Sequence, residues 1–272
     1  MGKLAKTLIA TALLALATAG SASAHSQNTW ARIGHKPLSD RVAAAQVTHV
    51  PDVRPANAQA NSYYTTAADL RYFRTVRNPA GQTSVNFNHW NAYVDGRSYL
   101  RHPSTDDLIQ WAAHKWGIPE DWIRAQVALE SNWQMDLNGD VALLSPKWAG
   151  MYPSWAHSTQ GPNWTYTSIG IAQIKWTPDN VFNPGLRYLR YRSTAFDLDY
   201  MAAEIRYYYD GDARWLGPNY HAGNKWLSVA AWNSPAPWNN SQQRWYVSVV
   251  QQDLQSRPWT SPSFPNSVFH RY

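Results

Sequence analysis

The segment from residue 104 to residue 131 constrains the fold of this chain more than any other. Ser104-Thr105-Asp106-Asp107 sets a hydroxyl N-cap before two acids, which suits the free amides and positive dipole end of a helix start. Leu108, Trp111, Ala112 and Lys115 follow at helical spacing, and Gly117 supplies a closing residue tolerant of left-handed backbone. Pro119 restarts a helix in its first turn, where a missing N–H costs little. The pattern then predicts a second helix over 120–131.

Similar punctuation recurs downstream. Ser193-Thr194 opens a helix through Phe196, Tyr200, Ala203 and Tyr207 that closes near Gly211. Residues 226–232 read as a short apolar helix stopped by Pro235 and Pro237. Ser241 is the expected cap of a last helix through Trp245, Val249 and Asp253, ending before Pro258. Between these elements, residues 136–167 are rich in Gly, Pro, Ser and Trp and read as a long surface insertion. The expected fold is therefore mainly α across 104–272. Residues 25–103 carry Pro, Asn, Gln and Ser without a sustained period. They are expected to form a partly ordered extension, with short helices at Ala43-Ala44-Ala45 and Ala67-Ala68-Asp69-Leu70.

Residues 1–24 read as an export signal. Lys3 and Lys6 precede a short apolar run, and Ala22-Ser23-Ala24 is a small-residue cleavage site that puts the mature start at His25. The run is too short for a good membrane anchor, and no later stretch is long and apolar enough to span a bilayer. The expected location is periplasmic or extracellular. Removing Lys3 and Lys6 lowers the formal charge from +6 to +4, mildly basic and suited to an anionic polymer such as a cell wall. Export and the lack of any binding motif disfavour nucleic acid. The chain has no cysteine, so stability must come from packing and no thiolate serves as nucleophile or metal ligand. The 16 Trp and 16 Tyr either pack the core or offer flat faces to sugar rings, and content alone does not separate these roles.

Glu130 is the chemically prominent residue. It ends an apolar helical pattern and shares a face with Gln126, Val127 and Ile123. Burial raises a carboxyl pKa, and a raised pKa suits a general acid that must keep its proton near neutrality. A Glu that turns outward at a helix end is the plainer alternative.

Four short motifs occur in order. They are Trp116-Gly117-Ile118-Pro119-Glu120, Val127-Ala128-Leu129-Glu130-Ser131, Ser168-Ile169-Gly170-Ile171-Ala172-Gln173 and Val229-Ala230-Ala231-Trp232-Asn233. Over about residues 104–256 the set resembles the soluble lytic transglycosylase domain of the lysozyme-like superfamily. The resemblance implies a lysozyme-like helical domain with a peptidoglycan cleft. It implies Glu130 as the catalytic acid and Ser131, Ser168, Gln173, Trp232 and Asn233 as residues that bind the glycan. Such enzymes protonate the oxygen between N-acetylmuramic acid and N-acetylglucosamine and close a 1,6-anhydro ring. No metal or cofactor is implied. One carboxylate suffices there, because the substrate's acetamido group stabilises the cationic centre and its own hydroxyl replaces water. Two departures stand out. Trp232 occupies the place of the family's Tyr, and the span between Glu130 and Ser168 is longer than usual. That span holds Asp136 and Asp140. A second acid facing Glu130 would activate water and make the chain a hydrolytic muramidase. A peptidoglycan-binding protein without turnover is the remaining alternative, motivated by Trp232.

Other signals lead nowhere. Asp136-Leu137-Asn138-Gly139-Asp140 has calcium-like spacing, but its Gly is misplaced and position 147 is Lys, so a turn is the better reading. The His residues form no zinc motif, and neither Ser131 nor Ser168 sits in a nucleophile elbow.

Overall fold

The computed structural model describes residues 29–152, 154–176, 186–237 and 240–264, with Arg187 described without its side chain. The export signal expected at 1–24 lies outside the described residues. The chain is mainly α. In the N-terminal part, α1 is Asp40–Ala44, α2 Ala58–Asn61, α3 Ala67–Thr75 and α4 Ser84–Phe87. The middle holds α5, Thr105–Trp116, and α6, Glu120–Ser131, then α7, Pro146–Ala149. After them come α8, Leu186–Leu189, α9, Thr194–Tyr209, α10, Lys225–Asn233, and α11, Ser241–Ser256.

Local chemistry places these helices where the caps predict. Asp107 N donates to Ser104 Oγ at 3.1 Å and Ser104 N donates back to Asp107 Oδ2 at 3.0 Å, a reciprocal capping box. Gly117 ends α5 with φ 62°, and an added Cβ there would lie 2.5 Å from Ala31 Cβ. Both the turn and the close approach of the N-terminal segment therefore require glycine. Pro119 is the N-cap of α6, one position before the helical turn expected for it. Asn240, not Ser241, caps α11, because its side chain accepts from Gln243 N at 2.8 Å while the Gln243 side chain answers. Arg257 closes that helix ahead of Pro258.

Helix α9 is buried along nearly its whole length. It packs against α5 and α10; α10 packs on α11, and α11 on α6. Two small antiparallel pairs complete the core. β1, Val141–Leu143, pairs with β2, Trp164–Tyr166, in the register Val141 to Tyr166. β3, Ser168–Ile169, pairs with β4, Ile174–Lys175. The stretch expected as a surface insertion thus contains a hairpin, and it returns Leu144, Tyr152 and Ala156 to the core.

The described part of the N-terminal region contributes Ala43, Phe73, Trp90 and Val94 to the core. Residues 29–103 are built into the same core as the later helices. Thr48 and Gln110 exchange two hydrogen bonds of 2.9 and 3.0 Å. Asn57 Nδ2 donates to Trp133 O at 2.7 Å and Asn57 Oδ1 accepts from Met135 N at 3.0 Å. Lys115, 2% exposed, gathers Asp40 at 2.7 Å, Asp199 at 2.8 Å and Asp95 at 3.4 Å around one ammonium. A buried ammonium needs such compensation, and here two of the three acids come from the N-terminal part. This cover explains why α5 is buried nearly all round instead of along one stripe. No helix among the described residues is long and apolar enough to cross a membrane.

Candidate active site

Glu130 sits in the last turn of α6. Asn132 and Trp133 follow with φ of 53° and 61°, so the chain turns sharply away and leaves the carboxyl at a helix end. Three other parts of the fold converge on it. Helix α11 brings Tyr246, whose hydroxyl donates to Glu130 Oε1 at 2.7 Å. Helix α10 brings Trp232, whose indole N–H also bonds the carboxyl. The turn before β1 brings Asp140 within electrostatic reach. Burial, aided by the Asp140 charge, raises the Glu130 carboxyl to about 7 against the two donors, which pull it down. Glu130 keeps some surface as a residue, so this acid is desolvated without being sealed.

Asp140 is held from the β3–β4 hairpin. Ser168 Oγ donates to Asp140 Oδ2 at 3.3 Å, and Lys175 Nζ lies 3.1 Å from the same oxygen. Gln173 Nε2 donates to Leu137 O at 3.0 Å and Gly170 O at 2.8 Å, tying the segment before Asp140 to the hairpin turn. Gly139 lies so close beneath that an added Cβ would fall 1.9 Å from Gln173 Oε1. The hairpin is itself seated from below. Asp197 is completely buried and faces the backbone amides of Ile171 and Ala172, with its carboxyl pushed well up by burial. Arg190, lowered to about 10 by burial, donates to the carbonyls of Thr167 and Ile174. Gly170, at φ 89°, leaves no room for a side chain between Arg190 O and Asp197.

These contacts redistribute the residues expected to bind a glycan. Ser131 is fully buried and its hydroxyl donates to Ile171 O at 2.7 Å, so it ties α6 to the hairpin and has no surface for a ligand. Ser168 is 6% exposed and positions Asp140, and Gln173 positions the backbone beside it. Trp232 stands against the carboxyl of Glu130. Asn233, next along α10, is half-buried with an Oδ1 that has no partner among the described residues. Asp136 and Asp140 part company, for Asp136 acts on Arg54 while Asp140 pairs with Lys175.

Tyr246, Asp197 and Arg190 stand at or beneath the candidate site, and the sequence reasoning did not single them out. Tyr246 and Val250 follow a helical period, but an aromatic at that spacing reads as core. Among the described residues, Asp40, Asp95 and Asp199 are close enough together to hold a cation, and Lys115 already supplies one at their centre. No family model, no curated protein and no solved structure matches this chain.

Proposed function

We propose that this protein cleaves the glycan strands of peptidoglycan, with Glu130 as general acid. The observation that carries the reading is the Glu130 carboxyl raised to about 7 at a partly open helix end. A group with that pKa still holds its proton near neutral pH and gives it up readily to a leaving oxygen. The ordered motifs around Glu130, Ser168 and Trp232 supply the substrate class, and the export signal supplies the setting. Glu130 protonates the bridging oxygen and then, as carboxylate, takes the proton of the sugar's own C6 hydroxyl. The intramolecular nucleophile has an entropic advantage over water and leaves a 1,6-anhydro end.

A second reading has an observation of its own. Asp140 is a carboxylate whose charge reaches Glu130, and paired carboxylates are what hydrolytic glycosidases use to activate water or hold a cationic centre. Digestion of purified peptidoglycan in oxygen-18 water separates the two. The first reading gives anhydro ends without label; the second gives labelled reducing ends that Asp140→Asn suppresses. Intact peptidoglycan after prolonged incubation with folded protein would contradict both and leave binding without turnover.

A further inference from the structure

We propose that the cavity between α1, α3 and α5 is a binding site for a small zwitterion. The ligand is an α-amino acid or dipeptide whose ammonium meets Asp40 and Asp95 and whose carboxylate meets Arg74. The cavity encloses about 340 Å³, and Leu38, Asp40, Arg74, Tyr93, Asp95 and Lys115 are among its walls. Pockets for small molecules begin at roughly 300 Å³, so this one suits a ligand at the small end of that class. No residue around Glu130 lines it, and the site is independent of the reading of Glu130 as an acid.

Opposite charges stand on this one cavity without neutralising each other. The carboxylate oxygens of Asp40, Asp95 and Asp199 lie within 4.8 Å of one another around the single ammonium of Lys115. Three carboxylates against one ammonium leave an excess of negative charge. Asp199 is fully buried and already accepts from Asp95 N at 2.9 Å, Gly96 N at 3.0 Å and Trp116 Nε1 at 2.6 Å. The side chains of Asp40 and Asp95 keep 18% and 19% of their surface, and both line the cavity. The excess is therefore presented there. Burial raises the Asp95 carboxyl, Lys115 pulls it down and Asp40 pushes it up again. A second ammonium would relieve that repulsion.

Arg74 supplies the complementary half. Its Nη2 donates to Val94 O at 2.7 Å, its Nε is buried without a hydrogen-bond partner, and it forms no ion pair among the described residues. A guanidinium fixed at one corner keeps its other N–H groups for a planar acceptor, and a carboxylate is the match. Partly buried charges of opposite sign that do not meet are costly. A molecule carrying an ammonium and a carboxylate a few bonds apart bridges them. A simple cation would leave Arg74 unsatisfied, and a simple anion would face two acids. Tyr93 offers the carbon frame of the ligand an apolar wall.

Calorimetric titration of the full chain tests the site. The probes are alanine and alanyl-alanine in both enantiomers. Each runs beside its N-acetylated form, which lacks the ammonium, and its C-terminal amide, which lacks the carboxylate. We expect the intact zwitterion to bind at least ~10-fold more tightly than either blocked form, the scale of one charge-assisted contact. Arg74→Gln should abolish the preference over the amide, and Asp95→Asn should reduce the preference over the acetylated form. Glu130→Gln should bind the probes as the wild type does. Absence of binding by every zwitterion at millimolar concentration overturns the proposal. So does an amide that binds as tightly as its zwitterion, which would make the cavity a plain cation site. Loss of binding in Glu130→Gln would move the ligand to the other site and overturn it too. Should either cavity variant not fold, the ranking of the probes on the wild-type chain decides alone.

Discussion

Glu130 and Glu204 are two carboxyls with the same titration and opposite settings. Burial raises each to about 7. Glu204, on α9, is 3% exposed and is held by Asn88 Nδ2 at 3.1 Å, Asn91 Nδ2 at 3.4 Å and the Tyr200 hydroxyl. Its partners are neutral and shut it in, so its energy goes into docking the turn at His89–Ala92 onto α9. Glu130 keeps some surface, has a second acid nearby and ends its helix at a sharp backbone reversal. A raised carboxyl pKa therefore marks desolvation. Access and a neighbouring charge are what turn desolvation into chemistry.

The comparison breaks most easily by exchanging the roles of the two acids. Glu130→Gln should lower peptidoglycan solubilisation by at least ~10²-fold, the usual scale of general acid catalysis, with the circular dichroism spectrum unchanged. Glu204→Gln should leave solubilisation at pH 6 near wild type. Its effect belongs to stability. Both carboxyls are raised above the ordinary 4.5, so the folded chain holds protons that the unfolded chain has lost between 4.5 and about 7. Stability is thus full below that window and falls as pH rises through it. For a nearly sealed group with this shift the loss is on the order of 3 kcal/mol. Glu204→Gln should remove that group's share, which urea denaturation at pH 5 and pH 8 measures; an unchanged pH slope would mean that Glu204 is not the titrating group.

A smaller effect tests the neighbouring charge. Asp140 pushes Glu130 up, so Asp140→Asn should lower the alkaline limit of cleavage by a fraction of a unit. A limit that stays put would show that Asp140 does not act on Glu130. The smallest expected change is that of Ser168→Ala. It removes one neutral donor from Asp140, worth roughly 0.5–1.5 kcal/mol, and should alter kcat a few-fold at constant KM. A rise in KM alone would instead return Ser168 to direct contact with the glycan.

How much of this was legible in the sequence depended on the distance over which each feature is decided. Helix starts were legible at Ser104 and Ser193, because a cap and its partner amide lie within one turn. The cap of α11 was misplaced by one residue because Asn240 and Ser241 are both good caps, and the answering Gln243 decides between them. Glu130 was legible because an acid closing an apolar helix is a local anomaly. Tyr246 was not, since its partner lies on another helix and its own spacing is that of an ordinary core aromatic. The ordered state of residues 29–103 was hidden for a related reason. Its ties are made by single side chains such as Asn57, Asp95 and Gln110, which reach the backbone or a buried ammonium without leaving a period. Ser131 was assigned to ligand because it follows Glu130 in the chain, whereas its helical position turns it inward to Ile171.

The central claim is that Glu130 donates the proton that breaks a glycan strand. Mass spectrometry of soluble muropeptides, released from purified sacculi by the wild-type protein and by Glu130→Gln side by side, tests it most directly. The account predicts cleaved glycan ending in anhydromuramic acid from the wild type and essentially none from Glu130→Gln. Equal release by both proteins would contradict it.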